Sequence, residues 1–132
     1  MSDAPDGSPP LVLLADDDLQ LLDTLTRGLE RSGYRVRPAE SVADAMEKVG
    51  EPPMPDVLVT DIELGDGWGA TLAFEVRKLD PAIPVVYISG HAGGDPVLRH
   101  GIEKHMEFLD KPFTVDELVA AIRRVTPTEA DG

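Results

Sequence analysis

Cysteine is absent from this 132-residue chain, which excludes a disulfide framework, a cysteine-based zinc site and a thiol nucleophile. Positive charge is scarce. Twelve Lys and Arg stand against 25 Asp and Glu, a formal net charge of −13, so nucleic acid and anionic lipid would repel the chain. Long apolar runs are missing too: nothing approaches the ~20 residues that a membrane span needs. The first ten residues are acidic and proline-rich, with neither the basic nor the apolar part of a secretory signal. Together these features lead to the expectation of a cytoplasmic protein with no nucleic-acid and no membrane partner. Acidity serves solubility first, but some of the carboxylates gather in places that ask for a cation.

Hydrophobic residues make up 42% of the chain, enough for one domain that buries roughly two-thirds of its unfolded surface. They come in short runs. Leu11-Val12-Leu13-Leu14-Ala15 leads into Asp16-Asp17-Asp18, and Val57-Leu58-Val59-Thr60 leads into Asp61. Val85-Val86-Tyr87-Ile88 stops at Ser89-Gly90, and Phe108-Leu109-Asp110 at Lys111-Pro112. Short apolar runs closed by turn residues read as buried strands of a parallel sheet.

Between the strands the spacing changes to that of helices. Leu22, Leu25 and Leu29 place a helix over residues 18–31, with Gly33 as its stop. Residues 34–38 form a weaker strand, and Ser41 caps a helix through Val49 with Val42, Ala45, Met46 and Val49 as its stripe. A proline-rich connector, 52–55, enters a strand over 56–60, followed by a loop over 61–67. Residues 68–79 read as a helix with Leu72, Val76 and Leu79 inward, and 83–88 as a strand. A short, poorly patterned helix is expected over 95–100 and a strand over 106–110. The last helix starts at Thr114 with Glu117 three residues on, a capping box, and buries Leu118, Ile122 and Val125. The alternation predicts a three-layer, doubly wound α/β domain of the (βα)5 flavodoxin-like class over residues 11–126, with strand order 2-1-3-4-5. Residues 1–10 and 127–132 are expected to be tails.

In such a sheet the carboxyl ends of the strands form the ligand crevice, so Asp16, Asp17 and Asp61 should meet between the first and third strands. Two carboxylates ~4 Å apart repel by about 4 kcal/mol at an effective dielectric near 20. An all-oxygen ligand set suits Mg²⁺, which also bridges to phosphate. Lys111 can meet a phosphate oxygen and Ser89 can donate a hydrogen bond to another. Asp61, alone at the end of its strand, is placed to attack phosphorus as a carboxylate nucleophile.

This constellation resembles the receiver domain of two-component response regulators, over about residues 11–126. The matching motifs are Leu-Leu-Ala-Asp16-Asp17-Asp18, Val-Leu-Val-Thr-Asp61, Tyr-Ile-Ser89-Gly and Phe108-Leu-Asp-Lys111-Pro112-Phe113. The resemblance implies that Asp61 is the phosphoacceptor. It implies that Asp16, Asp17 and Asp61 hold Mg²⁺ with the backbone carbonyl of Glu63, and that Ser89 and Lys111 read the phosphoryl group. It further implies a cis bond before Pro112, a switch aromatic at Phe108, and tuning of the phosphoryl lifetime by Glu63 and His91. The donor it implies is a phosphohistidine on a sensor histidine kinase or a histidine phosphotransfer protein. Phosphorylation would then change a downstream protein partner's preference for the surface around 95–125. The chain is expected to be a monomer or weak dimer, and not an enzyme beyond accepting and slowly losing its own phosphoryl group. The stretches around Ser89 and Lys111 look most like receivers attached to hybrid histidine kinases.

Three features depart from the family pattern. Gly65 stands where a proline is usual, so the acceptor loop is expected to be looser. Phe108 has no hydroxyl. No output domain is expected after the last helix.

Plainer readings compete for several residues. Asp18 reads as a helix N-cap, Trp68 as the start of a helix, and His91, His100 and His105 as surface or packing residues. Ser89-Gly90 alone is a common turn, and Lys111 alone a common solvated residue. Two other functions use related residues. A haloacid-dehalogenase-like phosphatase also has an Asp nucleophile, but needs a second Asp two residues on, where this chain has Glu63, and its acidic pair comes last. A flavodoxin-type cofactor binder needs a Gly/Ser/Thr-rich phosphate loop where this chain has three aspartates. A degenerate receiver that serves only as an interaction module is the remaining alternative.

Overall fold

The structure, a computed structural model, describes residues 9–90 and 106–126. The helix expected over 95–100, His91, His100, His105 and most of both expected tails lie outside the described residues. In chain order the elements are β1 (Leu11–Ala15), α1 (Leu19–Arg31), β2 (Arg35–Ala39), α2 (Val42–Val49) and β3 (Val57–Asp61). Then follow β4 (Glu63–Leu64), β5 (Gly67–Trp68), α3 (Gly69–Leu79), β6 (Val85–Ser89), β7 (Met106–Asp110) and α4 (Val115–Val125).

The five long strands pair in parallel in the order β2-β1-β3-β6-β7. Counting long strands only, that is the expected 2-1-3-4-5. Side chains alternate across each strand, so β1 divides its leucines between two cores. Val12 and Leu14 join Val59, Val86 and Ile88 under Leu25 and Leu29 of α1 and Leu118 and Ile122 of α4. Leu13 joins Leu58, Val85 and Tyr87 under Ala45 and Val49 of α2 and Leu72, Ala73 and Val76 of α3. Burial on both faces explains why β1, β3 and β6 are near-continuous apolar runs, with polar residues only where β3 and β6 end.

Local chemistry sets the helix ends. The Asp18 side chain accepts from the amides of Gln20 and Leu21, so it is the N-cap of α1. Past the other end, Gly33 takes φ +99, a left-handed turn that costs glycine little. Thr114 and Glu117 form the reciprocal capping box at the start of α4.

Three expectations need correction. The second, third and fourth long strands each run one residue further than expected, to Ala39, Asp61 and Ser89. Asp56 lies just outside β3, where its carboxylate accepts the Leu11 amide at 2.7 Å and its own amide donates to the Leu11 carbonyl at 2.8 Å. Asp61 in turn lies inside the ladder, opposite Ile88. The loop expected over 61–67 contains a small antiparallel hairpin that pairs Glu63 with Trp68 and Leu64 with Gly67. Leu79 does not face the core: it is 60% exposed. The buried stripe of α3 is Gly69, Leu72, Ala73 and Val76. At about 100° per residue, Leu79 stands roughly 70° from the axis of that stripe and in the last turn.

Candidate functional site

Four strand ends deliver the site. β1 ends just before Asp16, β3 ends on Asp61, β6 ends on Ser89, and β7 leads into Lys111. The sheet is closed at this point by the Lys111 amide, which donates to the Ser89 carbonyl at 2.8 Å. The Lys111–Pro112 peptide bond is cis.

Asp16 is wholly buried. Its Oδ1 accepts the Asp18 amide at 2.8 Å, while its Oδ2 is buried without a hydrogen-bond partner and lies 3.6 Å from Lys111 Nζ. Asp61 Oδ2 accepts from Lys111 Nζ at 3.0 Å, and Asp61 Oδ1 accepts the Glu63 amide at 3.2 Å. Asp17 is exposed, and one carboxylate oxygen from each of Asp16, Asp17 and Asp61 falls within 4.8 Å of the others.

The electrostatics follow from this crowding. Burial, chiefly, pushes the Asp16 carboxyl above its ordinary value; the charges of Asp61 and Asp17 add to it, while the Asp18 amide and Lys111 oppose it. For Lys111, burial favours the neutral amine. The hydrogen bond to Asp61 and the charges of Asp16 and Asp61 outweigh it, and the ammonium is held above its ordinary value. Three carboxylates against one ammonium leave the cluster short of positive charge. A buried carboxylate oxygen with no donor is costly, and a hard cation with oxygen ligands is the group that would satisfy it. The donor set and the orphaned oxygen therefore fit a divalent metal ion.

Above the cluster lies an open cleft of about 420 Å³, lined by Asp17, Asp61, Ile62, Glu63, Trp68, Ser89 and Gly90. Glu63 sits exposed on the hairpin, and Ser89 is buried at the cleft wall. Phe108 is half-buried and stacks on Tyr87 at 5.3 Å between ring centroids, its register partner on the neighbouring strand.

Two residues with a part in this geometry escaped the sequence reading. A Cβ on Gly69 would overlap the Asp61 carbonyl oxygen and crowd Thr60, so only glycine lets α3 start this close to β3. Asp66 Oδ1 and Oδ2 accept the amides of Val42 and Ala43 at 2.8 and 3.0 Å. The loop that Gly65 was expected to loosen is therefore tied to α2. Gly69 carries a faint signal, as a small residue at a helix start; Asp66 carries none, because its partners lie more than twenty residues away.

The family model of the response regulator receiver domain matches residues 12–123. The transcriptional regulatory protein PrrA of Mycobacterium leprae is 35% identical over 117 residues, covering 88% of this chain and 49% of that protein. The response regulator receiver protein CpdR of Brucella abortus is 31% identical, covering 86% of this chain and 94% of that one. A solved response regulator receiver protein from Sinorhizobium medicae superposes with a TM-score of 0.78 at 32% identity, over 89% of this chain and 94% of that one. The chain spans about half the length of the PrrA proteins that it matches.

Proposed function

This chain belongs to the response regulator receiver domain family, and from that premise we propose that it is a phosphorylation switch whose acceptor is Asp61. The observation that carries the proposal is the convergence of Asp16, Asp17 and Asp61 beside Lys111. The donor is a phosphohistidine on a sensor histidine kinase or histidine phosphotransfer protein, and the setting is the cytoplasm. A carboxylate oxygen of Asp61 attacks phosphorus, the phosphorus–nitrogen bond breaks, and the imidazole leaves with the electron pair and takes up a proton.

Asp16, Asp17 and Asp61 would hold Mg²⁺, joined by the backbone carbonyl of Glu63. When bound, that ion supplies the positive charge that lets two anions approach each other. Lys111 exchanges its hydrogen bond to Asp61 for one to a phosphoryl oxygen, and the Ser89 hydroxyl donates to another. Phe108, stacked on Tyr87 one strand away, senses the movement of Ser89. Glu63, at the cleft, and His91 set how fast water removes the phosphoryl group. The chain acts on its own side chain here, and its output is a changed preference for a downstream protein partner.

The test is incubation with acetyl phosphate and Mg²⁺, read by intact mass. The native chain should gain one phosphoryl group, and Asp61→Asn should gain none. A phosphorylated Asp61→Asn chain would falsify the assignment. A native chain that stays unmodified favours the interaction-module reading, and release of many equivalents of phosphate from phosphomonoesters favours a phosphatase.

A further inference from the structure

The first turn of α2 is capped twice. Its own N-cap, Ser41, accepts the Asp44 amide at 2.9 Å, which suffices to start a helix. The amides of Val42 and Ala43 are taken by Asp66, one by each carboxylate oxygen, at 2.8 and 3.0 Å. These charge-assisted bonds at a helix N-terminus hold the Asp66 carboxyl below its ordinary value. Because Ser41 already starts the helix, what Asp66 adds is a tether between α2 and the turn that joins β4 to β5.

Packing follows the same line. Leu64 is buried in the core that α2 shares, and a Cβ on Gly67 would stand 3.3 Å from Val42 Cγ2. The opposite side of the turn faces the carboxylate cluster. A Cβ on Gly65 would stand 3.5 Å from Asp17 Oδ2, and the Glu63 amide rests on Asp61 Oδ1 at 3.2 Å. The short hairpin thus has α2 on one side and the carboxylates on the other.

We propose that Asp66 is a positioning residue of the metal site: by fastening the β4–β5 turn to the α2 N-terminus it holds the hairpin in register against Asp17 and Asp61. The inference rests on the divalent-metal reading of that cluster. Groups that hydrogen-bond metal ligands directly change affinity by about 10–100-fold when removed; Asp66 acts one step further out, through the hairpin, so its effect belongs at the low end of that range.

The test is calorimetric titration of the full chain with MgCl2 at constant ionic strength, with thermal melting alongside. Asp66→Ala should weaken Mg²⁺ binding about tenfold. Asp66→Asn, which keeps one acceptor oxygen, should fall between Asp66→Ala and the native chain. Ser41→Ala removes the other cap of the same helix, so it should lower the melting temperature and leave Mg²⁺ affinity within about twofold. Equal affinity of Asp66→Ala and native chain overturns the inference. So does an equal loss in Ser41→Ala, which would make the effect one of helix stability. An equal loss in Asp66→Asn and Asp66→Ala would make it one of charge, and overturns it too. A native chain that takes up no Mg²⁺ overturns the metal reading itself, a result distinct from all of these.

Discussion

At the residue scale the site is defined by one wholly buried carboxylate, Asp16, beside partly exposed charges. Asp16 is buried with one oxygen unpartnered, so the metal-free protein carries a desolvation cost of about 1–3 kcal/mol at that group. Asp16→Asn should therefore raise the melting temperature of the metal-free chain and abolish its response to Mg²⁺; a lower melting temperature would refute this account. Asp66 behaves in the opposite sense. Its carboxyl is held below its ordinary value by the Ala43 and Val42 amides, so the unfolded chain binds the proton more tightly than the folded one. The stability it contributes is present above that value and is lost as pH falls through the lower, folded value. Urea midpoints of native chain and Asp66→Ala should differ near neutrality and converge in acid. Gly69→Ala should cost about 1–3 kcal/mol, since the added methyl overlaps backbone that has no room to move.

At the scale of elements, α3 shows how far periodicity reaches. Leu72, Val76 and Leu79 share a helical spacing, and two of the three are buried. Ala73 takes the third place because the stripe turns toward it and Leu79 falls in the final turn. Leu72→Ala should cost about 2–5 kcal/mol, while Leu79→Gln should stay within about 0.5 kcal/mol of the native chain. Chemical denaturation measures both. The capping box of α4 was legible because both partners lie within one turn, Thr114 and Glu117. The hairpin of β4 and β5 was not: two-residue strands have no period to read, and a loop with two glycines looks the same with or without a ladder. Placing the end of β3 one residue early had a consequence for chemistry, since Asp61 is the last rung of a central strand and its backbone is held by β6.

At the scale of the whole molecule, a net charge of −13 favours cation uptake, and a divalent ion bound only by the folded state would stabilise it. With free Mg²⁺ at about 100 times its Kd, the folded state should gain about 2.7 kcal/mol. For a domain of this size that raises the melting temperature by roughly 10 °C. Calorimetric scans with and without MgCl2 check this, and Asp61→Asn should show a much smaller rise. The alternation of apolar runs and helical stripes was enough to determine the layers and, to within a residue, where the long strands end; the strand order came from the doubly wound fold class. Layers and strand ends are consequences of period and chain direction, both of which are local. The strand-end aspartates, Ser89 and Lys111 were therefore recognisable as one group before any distance was known. Only the folded chain decided that Asp16 has a buried oxygen without a donor, that Lys111 lies between two carboxylates, and that Asp66 fastens the acceptor loop to α2. The last two are contacts between segments more than twenty residues apart and the first is burial by such segments; all are made by the packing of the layers, and sequence spacing carries no record of them.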